Sequence, residues 1–122
     1  MEVETLTLIL ISISLGIAGQ LCLKHGINNF GHLSINDFLT KKIFQIIFQK
    51  FVFLGILLYA IATFLWLIIL SKTELSIAYP MLAIGYIIIA ILSKILFNEN
   101  LTLLKFIGIV LISIGVFILL KK

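Results

Sequence analysis

Ala18-Gly19-Gln20-Leu21-Cys22-Leu23-Lys24 is the stretch that decides how this chain folds. It lies in the second half of an apolar run from about residue 4 to residue 25. That run is long enough for a helix to cross a bilayer, which takes ~20 residues at ~1.5 Å rise each. An amide and an ammonium group are costly at membrane depth, so lipid is not what surrounds them. Ser12, Gly16, Gln20 and Lys24 are spaced by four and share one helix face, with Gly19 beside them. That face must look toward other helices or toward a wet cavity between them.

The rest of the chain agrees. Of its 122 residues, 62% are hydrophobic and only 11% charged, more apolar surface than a soluble domain of this size can hide. Four apolar runs, about 4–25, 51–71, 75–97 and 103–120, each reach spanning length. Alternation with period two is nowhere sustained over ten residues, which argues against a membrane barrel. The expected class is an all-α membrane protein with four transmembrane helices in one domain, 1–122. The acidic start, Met1-Glu2-Val3-Glu4, differs from the positive start of a secretory signal, so the first run is expected to stay as a helix.

Cys22 is the only cysteine, and no Cys/His group has metal-ligand spacing. His25 and His32 lie in or beside a loop and read as solvated. No Ser/His/Asp set or phosphate loop is found, so neither an enzyme nor a cofactor is expected. All nine basic residues are lysines and the net charge is +4. With no basic, aromatic-studded soluble face, that charge suits lipid headgroups rather than nucleic acid. Lys72, Lys121 and Lys122 fall on the side of the termini, with Glu2, Glu4 and Glu74. Lys41, Lys42, Lys50 and Lys105 fall on the other, with Lys24 and Lys94 near helix ends. This bias places the 26–50 and 98–102 connections in the cytoplasm.

Between the first two spans, residues 26–32 read as a turn. Ser34 and Asp37 then have capping-box spacing. Apolar residues at 35, 38, 39, 43, 46 and 47, opposite Thr40, Lys41, Lys42, Gln45 and Gln49, describe an interfacial amphipathic helix at about 35–49. The alternative, a second span that starts early near Ile43, would put Lys50 inside it.

Gly55, Tyr59, Ala62 and Trp66 form one stripe on the second span. Trp66 is either a wall of a pocket or an anchor at the headgroup level. Thr73 is expected to cap the third span, with Glu74 in its first turn. On that span Ser76, Tyr79, Ala83, Tyr86, Ala90 and Ser93 alternate steps of three and four. Pro80 removes a backbone donor, so a bend is expected there. Lys94 either snorkels to the headgroups or faces a site. The fourth span offers only Gly108 and Gly115 on one face, suited to helix contact within or between chains.

Small residues on these stripes are sufficient for ordinary packing. Gln20 and the tyrosines are not explained that way, because aliphatic side chains would pack there at lower cost. The expected arrangement is a cavity walled by the first three spans, with Gln20, Lys24, Tyr59, Trp66, Tyr79, Tyr86 and Lys94 as candidate binding residues. Gly108 and Gly115 would mark an assembly seam. No carboxylate lies inside a span, so the cavity suits an anionic or hydroxyl-rich headgroup better than a cationic drug. Four helices are too few to enclose such a solute, so transport is expected to need a dimer.

Ala18-Gly19-Gln20-Leu21-Cys22 with Lys24, Leu65-Trp66-Leu67, Ile77-Ala78-Tyr79-Pro80-Met81-Leu82 and Glu99 together resemble the drug/metabolite transporter superfamily. Within it, they resemble the four-helix small multidrug resistance fold. The pieces look most like subunits of bacterial aminoarabinose-phosphoundecaprenol flippases. The resemblance implies translocation of an undecaprenyl-phosphate-linked sugar or similar anionic lipid across the inner membrane. It also implies a homodimer, or a heterodimer with a similar small subunit. Drug-exporting members carry a glutamate eight residues before the lysine; here that position is Gly16. The rival expectations are an exporter of small cations and a non-transporting subunit of a larger complex.

Overall fold

The computed structural model describes residues 3–121; Met1, Glu2 and Lys122, which enter the charge reading above, lie outside them. The described residues are helical, without strands: α1 Val3–Ile27, α2 Ile35–Leu39, α3 Lys42–Ile47, α4 Lys50–Lys72, α5 Leu75–Met81, α6 Ala83–Phe97 and α7 Leu103–Leu120. Four helical stretches, α1, α4, α5 with α6, and α7, are long and apolar enough to span a membrane.

α1 and α4 pack along one another, and two glycines make this possible. A Cβ on Gly19 would stand 3.1 Å from the carbonyl oxygen of Gly55, and a Cβ on Gly55 only 2.8 Å from that of Gly19. Without side chains at this crossing the two backbones meet directly, the way small residues bring helices together in lipid. Gly26 repeats the device one helix end away, where its Cβ would lie 2.8 Å from the Val52 nitrogen. Ser12 Oγ, buried between the helices, donates to the Ala62 carbonyl at 3.2 Å.

α6 leans on α1 through Gly85, whose Cβ would lie 2.9 Å from Ile13 Cγ2. A compact apolar core of Ile9, Ile13, Ile17, Ile69, Ala78 and Met81 closes the half of the bundle nearer the termini. Lys72 Nζ and Glu4 Oε1, 3.0 Å apart, join α4 to α1 at that face.

Three local expectations are corrected. Residues 35–49 do not form one helix. Thr40 is extended (φ −108°, ψ 179°), which separates α2 from α3. Gln49 is not on an amphipathic face but caps α4, its Oε1 accepting from the amides of Phe51 and Val52 at 2.8 and 2.9 Å. Thr73 ends α4 instead of starting the next span, and Glu74 occupies the N-cap position of α5. The Ser34–Asp37 pair does form, with the Ser34 amide donating to Asp37 Oδ2 at 2.8 Å. That bond, and the charge of Lys42, hold the Asp37 carboxyl below the usual carboxylate range.

Where a bend is expected at Pro80, the helix is interrupted two residues later, at Leu82. α5 ends at Met81, the Leu82 amide turns back to the Tyr79 carbonyl at 3.1 Å, and α6 begins at Ala83. Pro80 has no N–H for the Ser76 carbonyl, so one rung of the helical ladder is missing there, and the interruption follows at Leu82.

Candidate functional site

A cavity of about 330 Å³ opens between α1, α4 and α6, at mid-span. α1 supplies Ser12, Gly16 and Gln20 to its wall, α4 supplies Tyr59 and Trp66, and α6 supplies Tyr86. Gln20 Nε2 donates to Tyr59 Oη at 3.1 Å across the α1–α4 seam. This bond holds the amide at the cavity edge and leaves its carbonyl oxygen to face a ligand. Ile13 and Ile17 line the cavity floor and belong to the core beneath it, so the site rests on packed structure. Gly16 opens straight into space, since a Cβ there would meet nothing within 4 Å. Among the described residues, no carboxylate lines this cavity.

Four of the seven binding residues expected from the sequence therefore meet here: Gln20, Tyr59, Trp66 and Tyr86. Trp66 is a wall, and it also packs against the core. The other three do not line this cavity. Tyr79 is 64% exposed and lies seven residues, about two helical turns, before Tyr86, outside the cavity lining. Lys24 stands one turn beyond Gln20 at the end of α1, where its Nζ lies 3.7 Å from Glu99 Oε1. Both side chains are about half exposed, so the pair is weak and exchangeable. Lys94 lines a separate hollow at the α6–α7 connection, with Asn98, Glu99, Asn100 and Thr102.

Thr63 also faces the cavity and was missed, although it lies four residues from Tyr59. Its hydroxyl donates to the Tyr59 carbonyl at 2.9 Å. Gly85 and Leu82 complete the α6 side of the wall, and no chemical signal in their side chains points to that role. Gly108 and Gly115 are unopposed among the described residues, for a Cβ on either would meet nothing within 4 Å. Among the described residues, no group of three or more His, Cys, Asp or Glu could hold a metal ion.

The chain is similar to a protein of Pseudomonas syringae pv. syringae (strain B728a) named "Probable 4-amino-4-deoxy-L-arabinose-phosphoundecaprenol flippase subunit ArnE", 38% identical over 43% of this chain and 49% of that one. It is similar to a subunit named ArnF of the same flippase in Proteus mirabilis (strain HI4320), 36% identical over 58% of this chain and 55% of that one. The chain thus spans about half the length of these two relatives in the matched regions. A longer match runs to the ArnE subunit of Serratia proteamaculans (strain 568), 27% identical over 98% of this chain and 96% of that one. No solved structure matches. Residues 3–121 match the EamA-like transporter family, and with four helices able to span a membrane the chain is a multi-pass membrane protein that belongs to that family.

Proposed function

We propose that the chain is a carrier subunit of the bacterial inner membrane that moves an anionic lipid-linked substrate of the undecaprenyl-phosphate sugar class. The observation that carries the reading is the acid-free cavity at mid-span, where Gln20, Tyr59 and Tyr86 offer hydrogen-bonding groups and Trp66 a stacking surface. Sugar hydroxyls are recognised by such groups, and a pocket without a carboxylate does not repel a phosphate. Lys24, one turn away, attracts the phosphate at the membrane face. The names of the relatives support the substrate class.

On this reading the protein transports and does not catalyse a reaction. Its four spans act as one domain, and it works as a pair, with itself or with a similar small subunit. A small-cation exporter would need a proton-binding acid that the cavity lacks. A subunit that only packs against a partner would have no use for an open hollow.

The test is flux in proteoliposomes. Purified protein, alone and with a related small subunit, is loaded with undecaprenyl-phosphate-linked aminoarabinose, and the headgroup reaching the far leaflet is measured. Gln20→Leu should reduce flux by tenfold or so, the scale of losing one or two hydrogen bonds to a bound headgroup. Equal flux from protein-free vesicles, or substrate-driven proton release with a small cation instead, sinks the proposal.

A further inference from the structure

Two further hollows lie beside the cavity on the way to the α6–α7 connection. A groove of about 320 Å³ between α6 and α7 shares Tyr86 and Ile89 with the cavity wall. At its other end, Glu99, Asn100 and Leu101 are shared with the hollow of about 390 Å³ that holds Lys94. Tyr86 is thus the common wall between mid-span and a path that reaches the membrane face.

The path is amphipathic along its length. Ile89, Ile109 and Ile112 line its inner part, with Gly108 leaving open space where any other residue would place a side chain. Its outer part carries Lys105, Lys94, Asn98 and Asn100. Glu99 is the one acid there, and Lys24 already pairs with it. Among the described residues neither Lys94 nor Lys105 has a carboxylate partner; Lys105 Nζ donates to the Asn100 carbonyl at 2.8 Å. Two lysine charges therefore stand uncompensated at the outer end of an apolar groove.

We propose that the α6–α7 groove is a lateral portal. The phosphate of an amphiphile is drawn to Lys94 and Lys105, and its headgroup then slides between α6 and α7 past Tyr86 into the cavity. The apolar chain trails in the bilayer. This rests on the reading under Proposed function, and adds the route by which the cavity is filled.

Trp66 is the only tryptophan and it lines the cavity, so its emission reports arrival there. The full chain in nanodiscs of neutral lipid is mixed with undecaprenyl phosphate, and the Trp66 response is followed in time and with concentration. Lys94→Gln with Lys105→Gln should weaken the apparent affinity about tenfold or more, because each lysine near a membrane surface attracts an anion appreciably. Lys41→Gln with Lys50→Gln, an equal charge change on the same side but away from the groove, should leave it within about twofold, screening confining each charge to its neighbourhood. Gly108→Leu, which has room for its side chain, should slow the response at least several-fold. The portal is overturned if the two lysine pairs weaken affinity equally, or if Gly108→Leu fills at the wild-type rate. A wild-type protein whose Trp66 never responds refutes instead the substrate class on which the portal rests.

Discussion

Gly55→Ala should destabilise the protein while Gly16→Ala, four residues of α1 from the cavity's Gln20, should not. Both are glycines inside a transmembrane helix, and both gain in helix propensity, by about 0.5–1 kcal/mol in a soluble helix. Only Gly55 has no room. Its new methyl would come within 2.8 Å of the Gly19 carbonyl oxygen and 2.8 Å of Leu23 Cγ. The first neighbour is backbone, so relief requires α1 and α4 to separate. Overpacking of this kind costs about 1–3 kcal/mol, leaving Gly55→Ala destabilised by roughly 0–2.5 kcal/mol, centred on about 1 kcal/mol, after the propensity gain. Gly16 meets nothing within 4 Å and should be neutral or slightly stabilised. Reversible unfolding in mixed micelles, followed by Trp66 emission, gives both values. Separation at Gly55 also carries Tyr59, one turn on, away from Gln20, so Gly55→Ala should weaken ligand binding where Gly16→Ala only narrows the pocket. Equal stability of the two variants would refute the direct backbone contact.

Other outcomes follow from named residues. Gly16→Glu places a carboxylate in the cavity, and should create affinity for a lipophilic cation such as tetraphenylphosphonium, absent in the wild type, in equilibrium dialysis. Lys24→Ala leaves Glu99 without its partner at the membrane face, and should lower affinity for undecaprenyl phosphate several-fold, whereas Glu99→Gln, which releases Lys24, should raise it; both are read by titration of Trp66 emission. The Asp37 carboxyl is held below its ordinary value, chiefly by the Ser34 amide, so it stabilises α2 above the unfolded carboxylate value of about 3.9 and stops doing so as pH falls through its lower folded value. Amide protection of residues 35–39, relative to unstructured peptide at the same pH, should fall across that acid range, and Asp37→Asn should show the lower protection already at neutral pH.

The spans were legible because hydropathy and length alone fix them, and the bundle has no other use for such runs. Gln20, Tyr59, Trp66 and Tyr86 were legible because a polar or aromatic residue on a spacing of three and four marks a helix face that avoids lipid. Tyr79 was placed wrongly for a definite reason. The spacing from Ser76 to Ser93 marks one side of the helix, which Tyr79 shares with Tyr86, but it does not say how far along that side the cavity reaches, and Tyr79 stands about two turns from it. Gln49 was hidden because it fits an amphipathic pattern as well as it fits a cap, and only the position of the first α4 turn distinguishes them. The Lys24–Glu99 pair joins residues 75 positions apart in sequence, and nothing local announces it.

α7 leans on α5 and α6 and has no close seat against α1 or α4, and its glycines are unmatched. During synthesis the α1–α4 crossing and the core under α5 can therefore settle before the last span has left the ribosome. A nascent chain stalled at Thr102 should already hold Gln20 beside Tyr59, with its final helix arriving as an attachment to a finished scaffold.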